Sequence, residues 1–95
     1  ALTVLEMTEV VSFTDYFVIC TGQSTPHVQA IVDNIESGLS VLGLKPQGVE
    51  GYRRAHWVLI DYGDVVVHVF DTEQREYYAL EKLWLDAPQV KVDEA

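Results

Sequence analysis

At 95 residues, with 48% apolar and 22% charged side chains, the chain can close one packed core but lacks the length for a second domain. Fifteen Asp and Glu against six Lys and Arg leave a formal charge of −9, which repels a polyanion and excludes broad contact between nucleic acid and the chain's own surface. The one cysteine, Cys20, allows no internal disulfide, and every apolar run falls short of the ~20 residues that cross a bilayer, so no membrane partner is expected.

No basic-then-apolar leader opens the chain, which points to the bacterial cytoplasm or to an organelle stroma or matrix. Leu2, Val4, Leu5 and Met7 set a strand pattern before Glu9, and because that pattern starts at once, natural residues ahead of Ala1 are expected. A second strand over Asp15–Thr21 is apolar on both alternating faces, the pattern of a strand inside a sheet rather than at its edge. Gly22 breaks it. Ser24 or Thr25 then caps a helix with Pro26 in its first turn, and Gly43 stops it. Val28, Ile31, Val32, Ile35, Leu39 and Leu42 recur at helical spacing and are expected to be core, with Gln29, Asp33, Glu36 and Ser40 on the other side.

Val49 marks a short strand bounded by Gly48 and Gly51, and Arg53 and Arg54 lead into a hairpin over Trp57–Phe70. A short second helix is expected over Glu73–Leu85, with Tyr77, Leu80, Leu83 and Trp84 on one face, followed by a loose acidic tail over residues 88–95. The fold class is therefore mixed α/β (α+β): one small domain over residues 1–87, with a mixed sheet of about five strands, one long helix after the second strand and a short C-terminal helix.

Register matters most in the hairpin, because a slip of one residue exchanges its faces. An even loop sets Ile60 opposite Val65 and Trp57 opposite His68. His56, Val58, Ile60, Val65, Val67 and Val69 then share a clean apolar face for the long helix, and Trp57, Leu59, Val66, His68 and Phe70 share the other. A three-residue loop with Gly63 as a bulge would mix these sets. The long helix and the short one are too little to cover both faces, so the second face needs a partner or a site.

Three blocks carry a resemblance: Thr14–Gly22 (TDYFVICTG), Val49–Gly51 (VEG) and Trp57–Phe70 (WVLIDYGDVVVHVF). Arg75, Tyr78 and Leu80–Trp84 (LEKLW) extend it. Together they resemble the ribosomal silencing factor family, also called Iojap, in order and over nearly the whole chain. The resemblance implies a nucleotidyltransferase-like architecture without its catalytic carboxylates, and an extra helix ahead of the first strand that this sequence does not contain. It also implies a function: binding the large ribosomal subunit through its L-fourteen protein, which sterically blocks joining of the small subunit and represses translation when nutrients are scarce. No cofactor and no metal is implied. The acidic charge suits a basic target, since complementary charge speeds and orients docking.

The family's pattern nominates Glu50, Trp57, Asp61, His68, Arg75, Tyr78 and Trp84 for partner binding. Each has a plainer role beside that one. Trp57 is either an interface anchor or packed core. His68 is either a satisfied buried histidine or a pH-sensitive contact. Glu50 either orients Arg53 or Arg75 or reaches a partner, and Asp61 and Asp64 are turn residues first. Tyr77, Tyr78 and Trp84 divide between core and surface.

Two rival classes remain. Gly22-Gln23-Ser24 stands where a strand enters a helix N-terminus, a place suited to phosphate, which would fit a nucleotidyltransferase-like enzyme. Against it, no Asp-x-Asp pair lies on a strand to hold divalent ions, and Cys20 lies in an interior strand with no cation nearby to activate it. The other rival is a self-associating structural module, a homodimer of the free protein that covers the same aromatic face.

Overall fold

The computed structural model describes residues 2–73 and 87–91. Its elements are β1 (Leu2–Glu6), β2 (Tyr16–Gly22), α1 (Thr25–Val41), β3 (Gly48–Glu50), β4 (Trp57–Asp61), β5 (Val65–Asp71) and β6 (Gln89–Val90). They form a mixed α+β domain with a six-stranded sheet in the order β3-β4-β5-β2-β1-β6. The pair β2 and β5 is parallel and every other pair is antiparallel. β2 is interior, as its two apolar faces require.

The chain's end adds one strand to the sheet. The sheet has six strands rather than about five, because Gln89–Val90 pairs with β1 at Val4 and Leu5. At that sheet edge Gln89 and Val90 gain backbone pairing and Val90 is half-buried. The helix expected over Glu73–Leu85 lies outside the described residues from position 74 onward.

The helix follows its local signals. Ser24 is the N-cap, its Oγ accepting from the His27 N–H at 3.2 Å, and Pro26 sits in the first turn, where a missing N–H costs nothing. His27 Nδ1 accepts in return from the Gln23 N–H at 2.9 Å, closing a reciprocal cap. Gly43 takes a left-handed φ of 82° just past the C-cap, where a residue with a Cβ would be strained. Val28 and Val32 are fully buried, and Ile31, Ile35 and Leu39 are half-buried. Leu42 departs from the expected stripe. It is 73% exposed and is the C-cap, where the backbone has left helical geometry.

α1 packs closely on the sheet. A Cβ at Gly22 would stand 2.7 Å from Val28 Cγ2 and 2.9 Å from the Val28 nitrogen, so only glycine lets the helix start this near the strand it leaves. Val28 and Val32 press on Val58, Ile60, Val67, Val69 and Ala55, which together close one face of the sheet. The loop before β4 is tied to the helix: Gln29 Nε2 donates to the Tyr52 carbonyl at 3.1 Å, and the Tyr52 hydroxyl donates to Asp33 at 2.9 Å. The opposite face holds Leu5, Met7, Phe17, Ile19, Val66, Phe70 and Ala87, with Val10, Val11, Trp57 and Leu59 at its margin.

The hairpin keeps the expected faces and shifts the expected pairs. Trp57 stands opposite Phe70 and Leu59 opposite His68, so each partner lies two residues on from the even-loop assignment. Tyr62 N donates to the Val65 carbonyl at 2.9 Å, leaving a two-residue turn of Gly63 and Asp64 with φ of 86° at Gly63. A shift of two preserves side-chain parity, which is why the two face sets survive. Asp61 Oδ1 accepts from the Gly63 N–H at 2.8 Å. The Asp64 carbonyl accepts from Thr14 Oγ1, Asp15 N and Tyr16 N, which anchors the turn to the start of β2.

Candidate functional site

Pairing across the sheet sets out the second face as rows. Glu50, Leu59, His68 and Ile19 are consecutive partners in one row, and Trp57 and Phe70 are partners in the next. Asp61 continues the parity of Trp57 and Leu59 along β4. Glu50, Trp57, Asp61 and His68 therefore share the face away from α1. Burial deepens along the first row: Glu50 is exposed, Leu59 half-buried, His68 4% exposed and Ile19 fully buried. The core thus opens to the surface at the β3–β4 end of this face.

At that end Trp57 is half-buried. Its ring stacks on Phe70 at a centroid distance of 5.1 Å and an interplanar angle of 24°, and its Nε1–H donates to His68 Nδ1 at 3.1 Å. His68 in turn lies edge-on to Phe17 at 4.6 Å. Because Nδ1 accepts, the proton of the neutral ring is on Nε2, and this buried donor has no partner among the described residues. His68 is thus a half-satisfied histidine rather than a satisfied one. Leaving such a donor unpaired costs about 1–3 kcal/mol. Burial in this aromatic layer lowers the His68 pKa from 6.5 to about 4, so the ring is a neutral acceptor at physiological pH and not a pH-sensitive contact there.

Beside the indole lies a cleft of about 230 Å³ lined by Glu50, Gly51, Trp57 and Leu59. It is smaller than the roughly 300 Å³ at which small-molecule sites begin, and suits one side chain of a partner better than a free ligand. Gly51 shapes its wall. With φ of 83°, it passes so close to the Trp57 carbonyl oxygen that a Cβ would collide with it. Glu50 makes no ion pair with Arg53 or any other described residue, and Arg75, the other internal partner expected for it, lies outside the described residues. A larger and more open hollow of about 610 Å³ lies at the C-terminal half of α1, lined by Asp33, Glu36 and Lys45 among others, and none of the nominated residues that are described lines it.

Of the nominated residues, Glu50 and Trp57 meet in the cleft, His68 stands behind Trp57, and Asp61 caps the hairpin turn on the same face. Arg75, Tyr78 and Trp84 lie outside the described residues. Gly51 and Leu59 line the cleft without having been nominated. Leu59 could have been found from its parity with Trp57. Gly51 stood in the Val49–Gly51 block of the resemblance, but its role depends on a non-local approach of two backbones that no local pattern announces.

The profile of the family described as Ribosomal silencing factor during starvation matches residues 1–95. The chain belongs to the ribosomal silencing factor family. It is 47% identical over 89 residues to the Ribosomal silencing factor RsfS of Bacillus subtilis, covering 94% of this chain and 75% of that relative. A crystal structure of a Bacillus halodurans protein superposes with a TM-score of 0.83 at 44% identity, covering 96% of this chain and 82% of the other. The chain is also 36% identical over 84 residues to the mouse Mitochondrial assembly of ribosomal large subunit protein 1, covering 85% of this chain and 37% of that one. The family is one of ribosome-silencing factors rather than of known enzymes. Ser24, the residue best placed for phosphate, spends its side-chain oxygen on the helix cap. No helix among the described residues is long and apolar enough to cross a membrane.

Proposed function

We propose that this chain silences ribosomes by binding the large subunit through its L-fourteen protein and obstructing the approach of the small subunit. The observation that carries the reading is the second sheet face. There a half-buried tryptophan, backed by an aromatic layer and flanked by a carboxylate that makes no ion pair among the described residues, lines a cleft the size of a side chain. A large aromatic anchor beside a small pocket is the usual composition of a protein–protein hot spot, and Glu50 on a chain of charge −9 favours a basic target. The mouse relative is named for assembly of the ribosomal large subunit, which supports that subunit as the partner. Blocking is steric in this reading and uses no cofactor. The place of action is the cytoplasm or an organelle matrix.

Sedimentation with purified large subunits tests the binding step. Trp57→Ala and Tyr78→Ala should keep the fold, and at least one should lose more than about 1 kcal/mol of affinity, roughly fivefold. If both fold and both bind as the parent does, this face is not the interface. Addition of the parent to mixed subunits should reduce joined ribosomes in a gradient. Unchanged joining, with the parent bound, would remove the steric mechanism.

A further inference from the structure

We infer that His68 is a positioning residue for Trp57, holding the indole in its binding orientation by accepting the Nε1–H at Nδ1. The inference rests on the reading of Trp57 as an interface anchor and deepens it. Three observations lead to it. The acceptor–donor distance is 3.1 Å between two side chains on neighbouring strands whose residues are diagonal rather than directly opposite, so each reaches across the ladder to the other. His68 is 4% exposed and so presents almost no surface of its own. Its Nε2–H, forced by that bond, is buried without a partner among the described residues.

The last point separates positioning from packing. Phe17 and Phe70 surround the ring, and a phenyl group would fill the same layer without the unpaired Nε2–H but would leave the half-buried indole N–H of Trp57 without its Nδ1 acceptor. Histidine therefore leaves one buried donor unpaired among the described residues, and what it supplies that phenylalanine cannot is an acceptor for the indole. Fixing one side chain before association removes the entropy otherwise lost on binding, worth roughly threefold to tenfold in affinity for a single rotamer-rich side chain.

The test compares the parent with His68→Phe and with His68→Asn, whose side-chain oxygen can stand near the place of Nδ1. Three readouts are taken: thermal melting, hydrogen exchange of the Trp57 indole N–H by NMR, and affinity for purified large subunits. The chain has two tryptophans, so the Trp57 signal is assigned by its loss in Trp57→Phe. His68→Phe should remain folded at neutral pH, exchange its Trp57 indole proton faster, and bind roughly threefold to tenfold more weakly. His68→Asn should recover slow exchange and most of the affinity. In a Trp57→Phe background, which lacks the donor, His68→Phe should produce no further loss of affinity. A His68→Phe protein with unchanged indole exchange overturns the inference whatever the ribosome does, and so does faster exchange with undiminished affinity. A parent that fails to bind large subunits at all overturns the functional reading instead, while the exchange result still shows whether His68 holds the indole.

Discussion

Acid should weaken this fold through His68 by an amount that follows from its burial. The imidazole titrates at about 4 in the folded chain because the aromatic layer disfavours its charged form, against 6.5 for a free histidine. Between those values the unfolded chain takes up a proton at this side chain and the folded chain does not. Stability associated with His68 is therefore fully present above about pH 6.5 and is lost as the pH falls towards about 4. At about 1.36 kcal/mol per pH unit the whole loss approaches roughly 3 kcal/mol, and roughly 2.5 kcal/mol of it is gone by about pH 4.5. Carboxylates titrate over part of the same range, so the parent is compared with His68→Phe, which shares every other group. Urea unfolding of both at about pH 7.5 and about pH 4.5 should show the parent losing roughly 2.5 kcal/mol more than the variant. Equal losses would mean that the native ring takes a proton as readily as the unfolded one, and the buried placement of His68 would be wrong.

Gly51→Ala combines a positive φ with a collision against the Trp57 carbonyl, and should cost about 2–4 kcal/mol in urea unfolding while also weakening binding to large subunits. Ser24→Ala removes the N-cap acceptor and should cost about 1 kcal/mol by the same measurement. The nucleotidyltransferase alternative would require turnover of nucleoside triphosphates with magnesium that Ser24→Ala abolishes; none is expected. Leu42→Ser should change the unfolding free energy by less than about 0.5 kcal/mol, because that side chain is 73% exposed.

Elements set by local chemistry were legible in the sequence. Ser24, Pro26 and Gly43 specify where α1 begins and ends without help from the rest of the chain, and the two apolar faces of β2 announce an interior strand. The faces of the hairpin were legible because parity survives any even loop. The pairing itself was not, since choosing between a four-residue loop and the Gly63-Asp64 turn depends on contacts of the turn with Thr14, Asp15 and Tyr16 some fifty positions away. Leu42 misled because helical spacing continues past the residue at which the backbone stops being helical. Gln89–Val90 was missed because a two-residue strand has no periodicity to read and exists only where β1 offers an edge. At the candidate site, Glu50, Trp57 and His68 were visible as residue types, but the hydrogen bond that joins two of them was not, and neither was the approach of Gly51 that shapes the cleft.

The gradient of burial from Ile19 through His68 and Leu59 to Glu50 has a consequence for how any Trp57 variant is interpreted. Among the described residues Trp57 is at once the outermost ring of an internal aromatic stack and the wall of an external cleft, so a partner seated there extends the core outward rather than forming a separate contact. Truncation to alanine removes both roles together, and a loss of binding would not by itself distinguish a damaged interface from a loosened sheet edge. Trp57→Phe keeps a ring over Phe70 and removes the indole N–H along with part of the surface that lines the cleft. If folding is retained in that variant and affinity still falls, the loss belongs to the interface. If stability and affinity fall in proportion across both variants, Trp57 acts through the core, and the cleft is only where that core comes to the surface.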